Sequence, residues 1–137
     1  MNAMEKNFKR EINALDEVFE WIAAFMTAHQ IDQGAAYAVN LAVEELFTNM
    51  VKYGAGNADD ILIAIDRNGK DLVVTMIDSG GESFDVTKSA EVDVTQALEN
   101  REPGGLGLHL VKKMVDRLDY EYVNQQNKIT LIKHLES

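Results

Sequence analysis

Residues 61–81 read ILIAIDRNGKDLVVTMIDSGG, and the fold turns on how this stretch is read. Two apolar, β-branched runs, Ile61 to Asp66 and Asp71 to Asp78, flank Asn68-Gly69. Asn-Gly between two such runs signals a two-residue hairpin turn, because both residues tolerate the positive φ that tight hairpins need. The two runs therefore pair antiparallel. The second run ends in Asp78 and breaks at once into Gly80-Gly81.

Upstream, Leu15, Val18, Phe19, Ile22, Ala23, Phe25 and Met26 recur at helical spacing, which predicts a helix from Ala14 to His29. Ile31 to Gly34 reads as a turn. A longer helix follows from about Ala35 to Tyr53, stopped by Gly54 and Gly56. Downstream, a polar, glycine-bearing stretch runs from Ser79 to Gly105, with a short helix over Val94 to Asn100. Leu106 to Leu118 is again helical. The chain ends in two strand-like segments, Tyr120 to Asn124 and Lys128 to Leu135, joined through Gln125 to Asn127. The order is helix, helix, hairpin, long loop, helix, hairpin. It predicts an α+β two-layer sandwich, with a mixed but mostly antiparallel sheet covered on one face by three helices. No repeat or linker divides residues 1–137, which read as one domain. The loop of roughly 25 residues after Asp78 is longer than compact domains normally carry, and such loops are often lids.

The 137 residues carry a net charge of −10, 46% hydrophobic residues, three histidines and no cysteine. That apolar share suits a proper core. A disulfide framework and a cysteine-ligated zinc are excluded, and three scattered histidines make a catalytic metal cage a poor fit. The acidic balance argues against nucleic acid and against an anionic membrane surface. No apolar run approaches the roughly 20 residues of a membrane span, and the first residues do not form a signal peptide. A cytoplasmic location is the expectation.

Three segments carry chemistry. On the second helix, Glu45, Asn49 and Lys52 share one polar stripe with Tyr53 at its edge. A carboxylate can take a proton, and a carboxamide oxygen can ligate a hard cation such as magnesium. Taken alone, the stripe is also what the solvated face of an amphipathic helix looks like. In Ile77 to Asp85, the glycines after Asp78 let backbone approach a flat ligand, and Asp78 can accept from an exocyclic amine; an ordinary acidic turn has the same composition. In Pro103 to Asp116, glycine-rich backbone leads straight into a helix, whose free N–H groups and dipole suit a phosphate. The spacing is neither a P-loop nor a complete dinucleotide fingerprint. A loop running into a helix is the alternative.

In their order and spacing the three segments resemble the motifs of the GHKL superfamily of ATP-binding domains, the Bergerat fold. More closely, the chain is similar to the stand-alone serine kinases of bacterial partner-switching systems, the anti-sigma factors. Their E-x-x-x-N box is matched by Glu45-Leu-Phe-Thr-Asn49. Their aspartate box is matched by Asp78-Ser-Gly80-Gly-Glu-Ser-Phe84-Asp85. Their glycine box is matched by Gly104-Gly105-Leu106-Gly107-Leu108. The likeness runs from about Phe8 to Lys133.

The resemblance implies a role for each matched residue. Glu45 is the general base toward a protein hydroxyl, and Asn49 ligates Mg2+ bridging the ATP phosphates. Lys52 and Tyr53 lie near the phosphates and the nucleoside. Asp78 accepts from the adenine amine, with Gly80 against the base. Gly104, Gly105, Leu106 and Gly107 wrap the phosphates, with Leu108 closing the motif, and Val86 to Glu102 forms an ATP lid. It also implies a homodimer, a small anti-anti-sigma (STAS-type) substrate, and a sigma factor or other effector as second partner. Asn127 stands where the family often has a threonine near the adenine, and Tyr53 where histidine is common. Two other readings remain: a non-catalytic ATP-binding module that sequesters a partner, and an α+β domain that binds no nucleotide. Elsewhere, His29 reads as a helix C-cap, and Trp21 and Phe25 as core or dimer surface.

Overall fold

The computed structural model describes residues 3–53, 59–79 and 105–135, with Tyr53 and residues 105–109 described by backbone alone. Strand β1 (Met4–Phe8) leads through a 3-10 turn (Ile12–Ala14) into α1 (Leu15–Ala28) and α2 (Gln33–Tyr53). Strands β2 (Ile61–Asn68) and β3 (Asp71–Ser79) follow, then α3 (Gly105–Met114), β4 (Arg117–Val123) and β5 (Gln126–His134). The sheet order is β1-β2-β3-β5-β4, and every pairing is antiparallel. The predicted α+β sandwich is the observed architecture: among the described residues, an open five-stranded sheet packs against three helices.

Burial follows the period-two pattern. Ile61, Ile63 and Ile65 of β2, Leu72, Val74 and Met76 of β3, and Ile129 and Leu131 of β5 are buried. Val18, Ile22 and Phe25 of α1 and Val39, Val43, Leu46 and Phe47 of α2 join them in one cluster. Trp21 meets Phe8 edge-on, with ring centroids 5.5 Å apart, so Trp21 and Phe25 both serve the core. His29 caps α1: its N–H donates to the Phe25 carbonyl, and its ring stacks on Phe25.

Several boundaries differ from the sequence reading. β1 has no counterpart in it, because Met4-Glu-Lys-Asn-Phe8 is polar in the middle. It is an edge strand, where charged residues are common, and among the described residues it pairs only with β2. Helix α2 begins at Gln33 instead of Ala35, because Asp32 caps it: Oδ2 accepts the Ala35 N–H at 2.9 Å. The first hairpin turns at Gly69-Lys70, one residue later than Asn68-Gly69, and Asn68 pairs with Asp71. Positive φ falls on Gly69 alone (62°), as in a type II′ turn. The second hairpin turns at Asn124-Gln125, with φ of 55° and 62°, which leaves Asn127 inside β5. Helix α3 stops at Met114, short of Leu118, because the sheet captures the chain there. Asp116 N–H donates to the Ile132 carbonyl, and Leu118 pairs with Leu131. The short helix expected at 94–100 lies outside the described residues.

Candidate functional site

On the helix-facing side of the sheet, cross-strand partners line up in rows. One row runs Met4, Ile65, Val74, Leu131, Leu118, and the next contains Ile63, Met76, Ile129, Tyr120. The row at the sheet end runs Phe8, Ile61, Asp78, Asn127, Tyr122. Its middle is polar, yet Asp78 is 6% and Asn127 4% exposed. Burying such groups is costly without partners. Asn127 is met by the Tyr120 hydroxyl, which donates to its Oδ1. Asp78 is met by Arg10, whose Nη2 pairs with Oδ1.

Besides these two, the one other buried polar residue among the described residues is Asn49, 3% exposed on α2. Glu45, Asn49 and Lys52 lie along one side of the helix, as the spacing requires, but their environments diverge. Asn49 sits at the rim of the buried stripe, Glu45 is half-buried and Lys52 is exposed. The Asn49 Nδ2 is buried without a hydrogen-bond partner among the described residues. Nitrogen and oxygen of a carboxamide exchange places by a half-turn. The buried carboxamide therefore keeps unused hydrogen-bonding capacity, as a donor or, turned over, as an oxygen acceptor.

Burial pushes the Glu45 carboxyl above the ordinary glutamate range. The neighbouring Glu44 charge adds to the shift, and Lys52 opposes it. A carboxylate with raised proton affinity is a stronger base once ionised.

Arg10 was not legible as a site residue. Its guanidinium donates through Nη1 to the Met50 carbonyl at 2.9 Å and through Nε to the Asp59 carbonyl at 3.2 Å, while Nη2 holds Asp78. Met50 follows Asn49 directly, and its carbonyl is among the last four of α2, which lack helical partners. One side chain thus fastens the end of α2 to the end of β3, and links the Asn49 turn to Asp78 through a single guanidinium. The indirect signal for it is that a buried aspartate needs a countercharge, but nothing in the pattern indicates which cation supplies it.

The remaining expectations divide by position. Tyr53 is the last residue of α2, and Gly105, Leu106, Gly107 and Leu108 form the first turn of α3. Gly80, Gly104 and the lid at 86–102 lie outside the described residues. No helix among the described residues is long and apolar enough to cross a membrane.

Residues 8–133 match the model of a family described as a histidine kinase-like ATPase domain. The chain is 23% identical over 100 residues to the serine/threonine-protein kinase BtrW of Bordetella bronchiseptica, covering 72% of this chain and 70% of BtrW. Its fold is similar to the RsbU and RsbW domain structure from Mycobacterium tuberculosis, with a TM-score of 0.72 and 16% identity over 98% of this chain and 33% of that one. It is also similar to a chain in the SiaB–SiaC complex of Pseudomonas aeruginosa, with a TM-score of 0.68 and 16% identity over 94% of this chain and 88% of that one.

Proposed function

The chain belongs to the histidine kinase-like ATPase domain family, and from that premise we propose that it is an ATP-dependent serine/threonine-protein kinase of the partner-switching kind. Its substrate is a small anti-anti-sigma, STAS-type protein, and its second partner a sigma factor or comparable effector. The kinase name of BtrW and the protein–protein complex of the SiaB relative support this reading. It is taken to act as a homodimer.

The observation that carries it is the buried Asn49 carboxamide with unused hydrogen-bonding capacity, one turn beyond a Glu45 whose proton affinity is raised. Asn49 fits one oxygen ligand of a magnesium ion, which favours oxygen and keeps several waters. Magnesium, when bound, offsets phosphate charge and orients the group to be transferred. Asp78 accepts from the adenine 6-amine, and Asn127 lies beside it by register. Lys52 faces the phosphates, Tyr53 and Gly80 border the nucleoside, and the Gly104–Leu108 backbone donates to the phosphates beneath the lid at 86–102. Glu45 takes the proton of the substrate hydroxyl. The hydroxyl oxygen bonds the γ-phosphorus and ADP leaves. Phosphoryl transfer requires little more of a protein than positioning and charge balance.

The test is transfer of labelled γ-phosphate to the STAS-type protein encoded nearest this chain. The parent should label it in the presence of magnesium, and Glu45→Gln should lose about 100-fold or more in rate while still binding ATP. Binding without transfer by the parent would instead make the protein an ATP-dependent sequestering module.

A further inference from the structure

Arg10 lies in the segment between β1 and α1, apart from all three motif segments, yet its side chain is 4% exposed and touches the most selective contact of the proposed nucleotide site. We infer that Arg10 is the positioning residue that sets adenine selectivity, by holding the Asp78 carboxylate in the one orientation that accepts the 6-amine. The inference rests on the nucleotide-binding reading above and adds a specificity determinant to it.

The geometry is that of a three-way strut. Nη2 takes Asp78 Oδ1, Nη1 takes the Met50 carbonyl and Nε the Asp59 carbonyl. A guanidinium is a rigid planar fork, so fixing two of its corners on backbone fixes where the third points. The backbone corners belong to the last turn of α2 and to the approach to β2, and the third corner reaches the end of β3. Oδ1 is thus occupied. Among the described residues the Asp78 carboxylate has no partner besides Arg10, so Oδ2 is the oxygen left to accept from a ligand. An unbraced carboxylate would rotate about its terminal torsion, which has broad wells, and would present either oxygen. It would also stand as a lone buried charge, in a chain of net charge −10, against a ligand that is itself anionic. The same strut fixes Asp78 relative to Met50, and so relative to Asn49. That sets the span between the base contact and the phosphate end of the site.

A purely architectural Arg10 would affect stability and all ligands alike, so the informative readout is a ratio. Calorimetric affinities for ATP and for inosine triphosphate, which has a carbonyl in place of the 6-amine, are compared in the parent, Arg10→Gln, Arg10→Lys and Asp78→Asn, all with magnesium. A partly unfolded population weakens both nucleotides equally and cancels in the ratio. The parent should prefer ATP, and Asp78→Asn should abolish the preference. Arg10→Gln should cut it by about 10- to 100-fold, the worth of a hydrogen bond to a charged group. Arg10→Lys keeps the charge without the fork and should fall between the parent and Arg10→Gln. If Asp78→Asn abolishes the preference while both Arg10 variants keep the parental ratio, the inference about Arg10 is overturned and the nucleotide site stands. If the parent binds neither nucleotide, the site reading fails, and the inference with it.

Discussion

At the residue scale, a few polar side chains stand where the fold would otherwise put apolar ones. Asp78 and Arg10 form a nearly dry ion pair. Removing one partner of such a pair strands the other charge, at a cost of about 3–5 kcal/mol. Arg10→Met and Asp78→Asn should each destabilise the fold in urea titrations. The double variant should lose less than the sum of the two, by about 0.5–3 kcal/mol of coupling. Strict additivity would mean that the two side chains do not act as a unit. Glu45 makes a second prediction, through pH. Its raised proton affinity comes from burial first and from Glu44 second, with Lys52 opposing. A general base works only when ionised, so phosphotransfer should rise with pH along an acid limb lying above the ordinary glutamate range. Glu44→Gln removes a like charge and should move that limb to lower pH. Lys52→Met removes an opposing charge and should move it to higher pH. Limbs that stay put in both variants would show that another group controls the profile.

At the scale of elements, Asp32 caps α2, the helix that carries Glu45 and Asn49. Asp32→Ala should cost about 1 kcal/mol of unfolding free energy, and Asp32→Asn only a small fraction of that. Gly69 takes a positive φ, and a Cβ added there would meet nothing within 4 Å. Gly69→Ala therefore tests backbone strain alone and should cost about 1–2 kcal/mol, read by denaturation. These two residues also show what was legible. The β2–β3 hairpin could be read because its apolar runs alternate at period two around a glycine. The turn came out one residue off because Asn68-Gly69 and Gly69-Lys70 satisfy the same local rule, and only the cross-strand register separates them. Asp32 is a residue type that N-caps prefer, but Ile31 to Gly34 reads equally as a turn, and only the hydrogen bond to Ala35 decides between the two. β1 and the end of α3 were out of reach for a deeper reason: pairing with β2 and β5 decides them, and no local signal encodes a partner strand. The site divides the same way. Glu45, Asn49 and Asp78 lie in motifs with fixed spacing, whereas Arg10 joins them only through the fold.

At the scale of the whole molecule, the charge opposes the proposed ligand. Residues 78–102 hold seven acidic and two basic side chains, half of the net −10. A triphosphate is therefore repelled at long range, and most strongly around the proposed lid. Its binding has to rest on local devices: the Asn49 carboxamide with a magnesium ion, the amides opening α3, and Lys52. Screening should make the repulsion weaker at higher salt, since exposed charges more than about 8–10 Å apart are largely screened at physiological ionic strength. The most direct measurement is a calorimetric titration of the full chain with ATP, with magnesium and with a chelator in its place. A clear binding isotherm is expected with magnesium and an affinity lower by about 10-fold or more without it, consistent with the loss of a contact to a charged group. Equally tight binding in the chelator would contradict it.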